Sequence, residues 1–373
     1  MIGVVAAIAV ITVSGCGPAS RSFADDAGGI RVGVRYSAQV ARRSSPQRGL
    51  ELVGRDFVNI KKMKIDVVLI DDLQSDDLDP VLELAAEHEI KLVVPDAAVV
   101  NRVRGIATVA NTTARLPKSP VIAGYYLGHV VDDATFARAR REATRIQSTR
   151  PGAKTFVHMD ASMITRARVK AFDHVIAHIP GDQSGGERAS SGGALQTLRF
   201  RRDGRDDDAT VRSWLRTFHR GLAQGQSAGL MIDGFRTLPG EESGLVHQGA
   251  PLSPERITMV QRIATRAKRW GNVLADLAPA TVQPLEESLA NVEVAMLAAG
   301  ARRCILITNP STNDFVRGEV SLPNELNGAP VVRAVGVPPE SATVLGDVIR
   351  ARSDRLVIPV ELAPGDAALH ELF

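Results

Sequence analysis

The stretch SPVIAGYYLGHVVDD, residues 119 to 133, is a near-continuous apolar run with two tyrosines, opened by Pro120 and closed by polar residues. A run of this kind suits a strand buried on both faces, as in a parallel sheet covered by helices. In such folds the chemistry sits where the strands end, so His129, Asp132 and Asp133 are expected near the functional face.

Working outward, seven further short apolar segments bounded by turn residues read as strands. Arg31–Tyr36, Asp66–Ile70 and Lys91–Pro95 precede Val121–Leu127; Lys154–His158, His174–Ile179, Ala194–Phe200 and Gly229–Ile232 follow it. Between them Glu51–Met63, Pro80–Glu89, Phe136–Gln147, Asp208–Gln224 and Pro254–Trp270 carry apolar residues three and four apart with charges between, the pattern of surface helices. Ser253-Pro254-Glu255 is a capping residue followed by proline at the first helical position. Eight strands alternating with helices imply an α/β fold of the (β/α)8 TIM-barrel type over residues 30–281. A doubly wound open sheet would want a glycine-rich phosphate loop after its first strand, and Arg31–Ser37 is followed by none.

Past Gln283 the texture changes. Arg303–Asn309, Val316–Leu322, Val331–Val337 and Leu356–Leu362 are short β-rich runs separated by turns such as Asn327-Gly328 and Pro364-Gly365-Asp366. Residues 282–373 are therefore expected to form a small antiparallel β-sandwich domain. The polar, Gly- and Ser-rich insertion Gly181–Gly193 reads as a loop on the functional side.

Composition bounds the function. The 373 residues are 44% hydrophobic and 23% charged, enough for a large core. The formal charge of +3 comes from arginines spread along the chain rather than gathered in blocks, which argues against nucleic-acid binding. Aromatic residues are only 4%, low for a protein that grips sugars by stacking on rings. HExxH, CxxC and EF-hand spacings are absent, and so is a phosphate-cradling glycine loop, so neither a metal nor another cofactor is expected.

The amino terminus reads as an address. Ile2–Val13 is apolar but too short to span a bilayer. It ends in Val13-Ser14-Gly15-Cys16, which resembles a bacterial lipobox. That resemblance implies a signal peptide over residues 1–16, lipidation of Cys16, anchoring to a membrane and, with Gly17 following, display at the outer membrane or cell surface. Residues 17–29 would be the linker. Cys304, in the apolar run Cys304–Ile307, reads as a buried thiol.

Several phrases carry a wider resemblance: DFVNIKKMKIDVVLIDD (56–72), LELAAEHEIKLVVP (82–95), PVIAGYYL (120–127), SAGLMIDGF (227–235) and ILITNP (305–310). From about Ile30 to the end the chain resembles retaining glycoside hydrolases of the β-galactosidase and cellulase kind, in which a (β/α)8 barrel is followed by a β-sandwich. The resemblance implies an acid/base glutamate at the end of the fourth strand and a nucleophile at the end of the seventh, about 5 Å apart. Val130 stands where that glutamate is expected, and Leu195–Phe200 offers no carboxylate.

Other strand-end residues are candidates. Asp233, with Asp132 or Asp72, could supply relocated catalytic carboxylates. Tyr36, Asp71, His129, His158, Asp160, His178 and Arg236 could contact a glycan, and Asp96 and Asp182 share the strand-end position. Two functions follow: a surface lipoprotein that keeps the glycosidase scaffold without its acid/base, serving carbohydrate binding or envelope structure, or an active hydrolase with relocated acids.

Overall fold

The computed structural model of the chain describes residues 31–39, 41, 48–73, 75–106, 116–178, 194–198, 227–236, 245–246, 254–274, 278–281, 291–299, 302–323, 332–335, 350–352 and 355–372, with scattered residues of a helical segment between 212 and 222. Cys16, the linker 17–29 and Asp182 lie outside the described residues.

Eight parallel strands close into a barrel: β1 (Arg31–Tyr36), β2 (Val67–Ile70), β3 (Lys91–Pro95), β4 (Ile122–Val130), β5 (Thr155–Asp160), β6 (His174–His178), β7 (Ala194–Leu198) and β8 (Ser227–Ile232). The seam between β1 and β8 is paired from Arg31↔Gly229 to Val34↔Ile232. The helices are α1 (Gly49–Lys62), α2 (Ser75–Glu87), α3 (Ala97–Arg104), α4 (Asp133–Thr149), the four-residue α5 (Arg166–Val169) and α6 (Pro254–Leu274). The (β/α)8 architecture read from the sequence is the fold. Helix α2 begins at Ser75, ahead of the expected Pro80, because Asp76 and Asp77 in its first turn complement the positive end of the helix dipole.

Strand alternation sorts the side chains into two layers. Val67, Leu69, Val93, Tyr126, Phe156, Ile176 and Met231 fill the barrel interior. Their neighbours, Val32, Val34, Val68, Ile70, Leu92, Val94, Leu127 and Val157 among them, pack outward against the helices.

After α6 the chain forms two antiparallel sheets, using β9 (Ala278–Thr281), β10 (Glu293–Ala299), β11 (Arg302–Thr308), β12 (Val316–Pro323), β13 (Val332–Ala334), β14 (Arg350–Arg352), β15 (Arg355–Leu362) and β16 (Ala367–Leu372). Five strands run in the order β13-β16-β11-β10-β9 and three in the order β12-β15-β14. Because β9 pairs with β10, the sheets begin at Ala278, ahead of residue 282.

Alternation again gives the larger sheet two buried faces. Val294, Ile305, Ile307 and Leu372 pack on Val320, Ile358 and Val360 of the smaller sheet. Cys304, Leu306, Ala367 and Leu369 join the barrel's outer core, and Cys304 is a buried thiol. The join is also polar: Trp270 Nε1 donates to the Val335 carbonyl at 3.2 Å, and Arg266 pairs with Asp366.

Candidate functional site

The barrel's polar layer lies one residue pair above the apolar interior, at the carboxyl ends of the strands. Arg35 follows Gly33 on the inward side of β1, Asp71 follows Leu69 of β2, and Asp233 follows Met231 of β8. The Arg35 guanidinium bridges the two acids, with Nε donating to Asp71 at 2.6 Å and Nη1 to Asp233 at 3.1 Å. Both carboxylates therefore lie within the span of one planar fork. Asp233 is buried and Asp71 half-buried.

On the opposite arc, β5 turns His158 and Asp160 inward above Phe156. His158 Nδ1 lies 2.8 Å from the Tyr126 hydroxyl, and His129 Nε2 lies 2.7 Å from Asp160 Oδ1. Burial, and then the negative charge of Asp71, push the Tyr126 hydroxyl far above its ordinary range, so it stays protonated.

His129 reaches this arc through a bulge in the stretch that opens the sequence reading. β4 pairs Tyr126 with Phe156 and next His129 with His158, so β4 carries one extra residue there. Gly128 takes φ +109°, a backbone state closed to most side chains, and returns His129 to the inward side. Gly128→Ala is expected to lose about 1–3 kcal/mol through that strain. It should also break the 2.7 Å contact of His129 with Asp160, read as a displaced His129 ring in a crystal structure of the variant; an unmoved ring would show that the bulge survives without glycine.

The remaining sequence candidates have other work. Tyr36 points outward from β1 and is fully buried, donating to Asp56 Oδ2 of α1 at 2.9 Å. Arg236 binds the same carboxylate through Nε and Nη2, each at 2.6 Å. Strand parity thus removes Tyr36 from the mouth, and the bond to Asp56 holds Arg236, past the end of β8, away from it. Asp72, one residue past the inward Asp71, accepts from the Ser37 hydroxyl and the Ala38 N–H and so holds the turn after β1; burial raises its carboxyl above the usual range. Asp132 is exposed and caps α4, accepting from the Thr135 N–H at 2.7 Å, and that bond lowers its pKa. A capping carboxylate outside the barrel cannot pair with Asp233 across the mouth. Asp96 likewise caps α3, accepting from the Val99 N–H at 3.0 Å. His178 ends β6 in register with Asp160, and its side chain lies outside the described residues.

Arg35 is the site residue absent from the sequence reading. Its signal was the alternation of Arg31, Gly33 and Arg35 with the apolar Val32, Val34 and Tyr36, which already puts the arginine on the interior face. Val130 is fully buried, so the position the resemblance reserved for an acid/base has no access to a ligand. Among the described residues, no three His, Cys, Asp or Glu side chains converge as a metal site.

No family model matches the chain, and no curated protein matches it in sequence. Solved structures do match in shape. An alpha-amylase from Geobacillus thermoleovorans, complexed with acarbose, aligns at 13% identity and TM-score 0.55, over 92% of this chain and 98% of its own. A maltogenic alpha-amylase, AmyB, from Thermotoga neapolitana aligns at 11% identity and TM-score 0.52, over 91% and 98%. Amy13B of Eubacterium rectale aligns at 9% identity and TM-score 0.51, over 92% and 96%. At these identities the likeness establishes a shared fold, barrel and carboxyl-terminal sheets together.

Proposed function

We propose that this chain is an exported, lipid-anchored protein that binds a glycan at the barrel mouth without hydrolysing it. The observation that carries the reading is that each inward acid described at the mouth has a basic side chain against it: Asp71 and Asp233 have Arg35, and Asp160 has His129. Glycoside hydrolysis needs one carboxyl that keeps its proton near neutral pH, which requires desolvation away from positive charge. Here Asp71 and Asp233 lie against an arginine fork instead. Paired this way, Arg35, Asp71 and Asp160 still offer donors and acceptors suited to sugar hydroxyls, and none of the three is fully covered. The lipobox-like Cys16 supports the anchor, and the glycosidase architecture supports a saccharide ligand.

A second reading has its own support. Two carboxylates that share one guanidinium across a barrel mouth lie close to the separations used in glycoside hydrolysis, roughly 5–9 Å. Asp71 and Asp233 would then be the reacting pair, with Arg35 displaced by substrate.

One experiment separates the two. The processed protein is screened for turnover of aryl glycosides and polysaccharides and for binding on a glycan array, beside Asp233→Asn and Arg35→Met. The expected result is no turnover, with binding weakened at least tenfold by Arg35→Met. Turnover that disappears in Asp233→Asn would establish the hydrolase instead.

A further inference from the structure

The charges of this barrel are sorted by face. Eight of the 45 basic residues are lysines, and all eight are exposed on the end of the barrel opposite the mouth. Lys61, Lys62 and Lys64 end α1 and lead into β2, and Lys91 opens β3. Lys118 precedes β4, Lys154 immediately precedes β5, and Lys170 precedes β6. Lys268 of α6 reaches the same end, pairing at 2.6 Å with Asp66, next to the first residue of β2.

The acids on these turns are Asp66, Glu87, Glu89 and Asp173, and three of them already sit on a lysine: Asp66 on Lys268, Glu89 on Lys61 and Asp173 on Lys154. Among the described residues, no ion pair holds Lys62, Lys64, Lys118 or Lys170. A cleft of about 450 Å³ lies between Lys118, Arg150 and Lys154, and no acid among the described residues lines it. Helix dipoles account for lysines in the last turn of α1. They do not account for Lys91, Lys118 or Lys154, which stand at strand starts.

The same face receives the amino-terminal segment. β1 runs parallel to its neighbours, so its first residue, Arg31, lies at the lysine end, and the thirteen-residue linker 17–29 precedes it. A linker of that length spans at most about 45 Å fully extended.

We propose that this lysine-bearing end is a docking surface for anionic phospholipid headgroups, which seats the barrel on the membrane with its mouth facing away. The seating rests in part on the reading of Cys16 as a lipid anchor. The lysine contribution is electrostatic and stands apart from it. A compact, strongly hydrated ammonium on a flexible stem suits a fluid layer of phosphates better than arginine's fixed fork does. Each lysine close to an anionic surface adds about fivefold to binding at physiological ionic strength.

The test uses the full chain as the cell processes it, sedimented with phosphatidylcholine vesicles and with vesicles containing 30% phosphatidylglycerol. Two variants accompany it: Lys64→Glu/Lys118→Glu/Lys154→Glu/Lys170→Glu, and a control with the same charge change elsewhere, Arg55→Glu/Arg140→Glu/Arg141→Glu/Arg317→Glu. The anchor is expected to hold all three proteins on neutral vesicles. Phosphatidylglycerol should tighten wild type and control by at least a hundredfold at low salt, and leave the lysine variant unchanged. An anionic preference that is absent in wild type, or lost equally in the arginine control, overturns the proposal. Absence of binding to neutral vesicles would instead refute the anchor, and a lysine-dependent preference for phosphatidylglycerol would then still support the docking surface.

Discussion

Asp56→Ala is expected to destabilise the barrel by about 3–5 kcal/mol, because it removes one member of a buried ion pair and strands the other. The Asp56 side chain is 3% exposed and that of Arg236 is 11% exposed. Arg236 cannot shed its proton, so without Asp56 a full positive charge would stay in the layer between barrel and helices. The Tyr36 hydroxyl would lose its acceptor as well. The three residues come from β1, α1 and the segment after β8, so the cluster ties the closing seam of the barrel to its first helix. Phe57 and Phe235 surround it, each with its ring centroid 5.8 Å from that of Tyr36. A loss of this size is a large share of the 5–15 kcal/mol that domains hold in total. The measurement is the urea midpoint by circular dichroism. Asp56→Asn, which can still accept from Tyr36, should recover part of the loss; a shift below 1 kcal/mol in Asp56→Ala would refute a structural role for the cluster.

Acid should unfold the protein through two buried histidines. Burial pushes the imidazole of His219 down to about 3, with the Arg266 charge adding to the effect, and burial pushes His370 down to about 4. In the unfolded chain both return to about 6.5. The unfolded state therefore binds protons that the folded state refuses. Stability is full above about pH 6.5 and falls as pH drops below it, by roughly 1.4 kcal/mol per unit for each histidine, until the folded pKa values are reached. By pH 4 the loss is of the order of 6 kcal/mol.

Both residues serve the carboxyl-terminal sheets. His219 Nδ1 lies 3.0 Å from the Gly365 carbonyl at the domain join, and its ring packs on Trp270. His370 faces the sandwich core from β16, opposite Ile305, and neither ring nitrogen has a hydrogen-bond partner among the described residues. His370→Leu should therefore raise stability at pH 7 by about 1 kcal/mol, since an unsatisfied polar group is replaced by an apolar one. It should also halve the slope of stability against pH between 6.5 and 4. Denaturation midpoints measured at four pH values decide it, and an unchanged slope would remove His370 from the account.

Much of the architecture was legible because local pattern and tertiary environment agree. Lys91–Pro95 is a strand with the bounds read from its sequence, and Pro254 opens α6 as its capping signal implies. Strands β10 (EVAMLAA) and β16 (AALHEL) were not legible: their alanine-rich sequences favour helix, and only pairing with β11 on either side makes them strands. Helix α3 carries little sequence signal, being eight residues long and rich in valine.

The site divides the same way. The sequence by itself determined which residues stand at strand ends, and it put valine, which cannot transfer a proton, at position 130, where the glycoside hydrolases it resembles carry an acid/base glutamate. Which strand-end residues face one another was decided by tertiary structure alone. Side-chain direction reverses with every residue along a strand, so a one-residue bulge at Gly128 brings His129 to Asp160. The same alternation sends Tyr36 outward to Asp56 and leaves Arg35 between Asp71 and Asp233. Partnership across the barrel depends on closure of β1 against β8, a contact between residues some two hundred positions apart that no local pattern encodes.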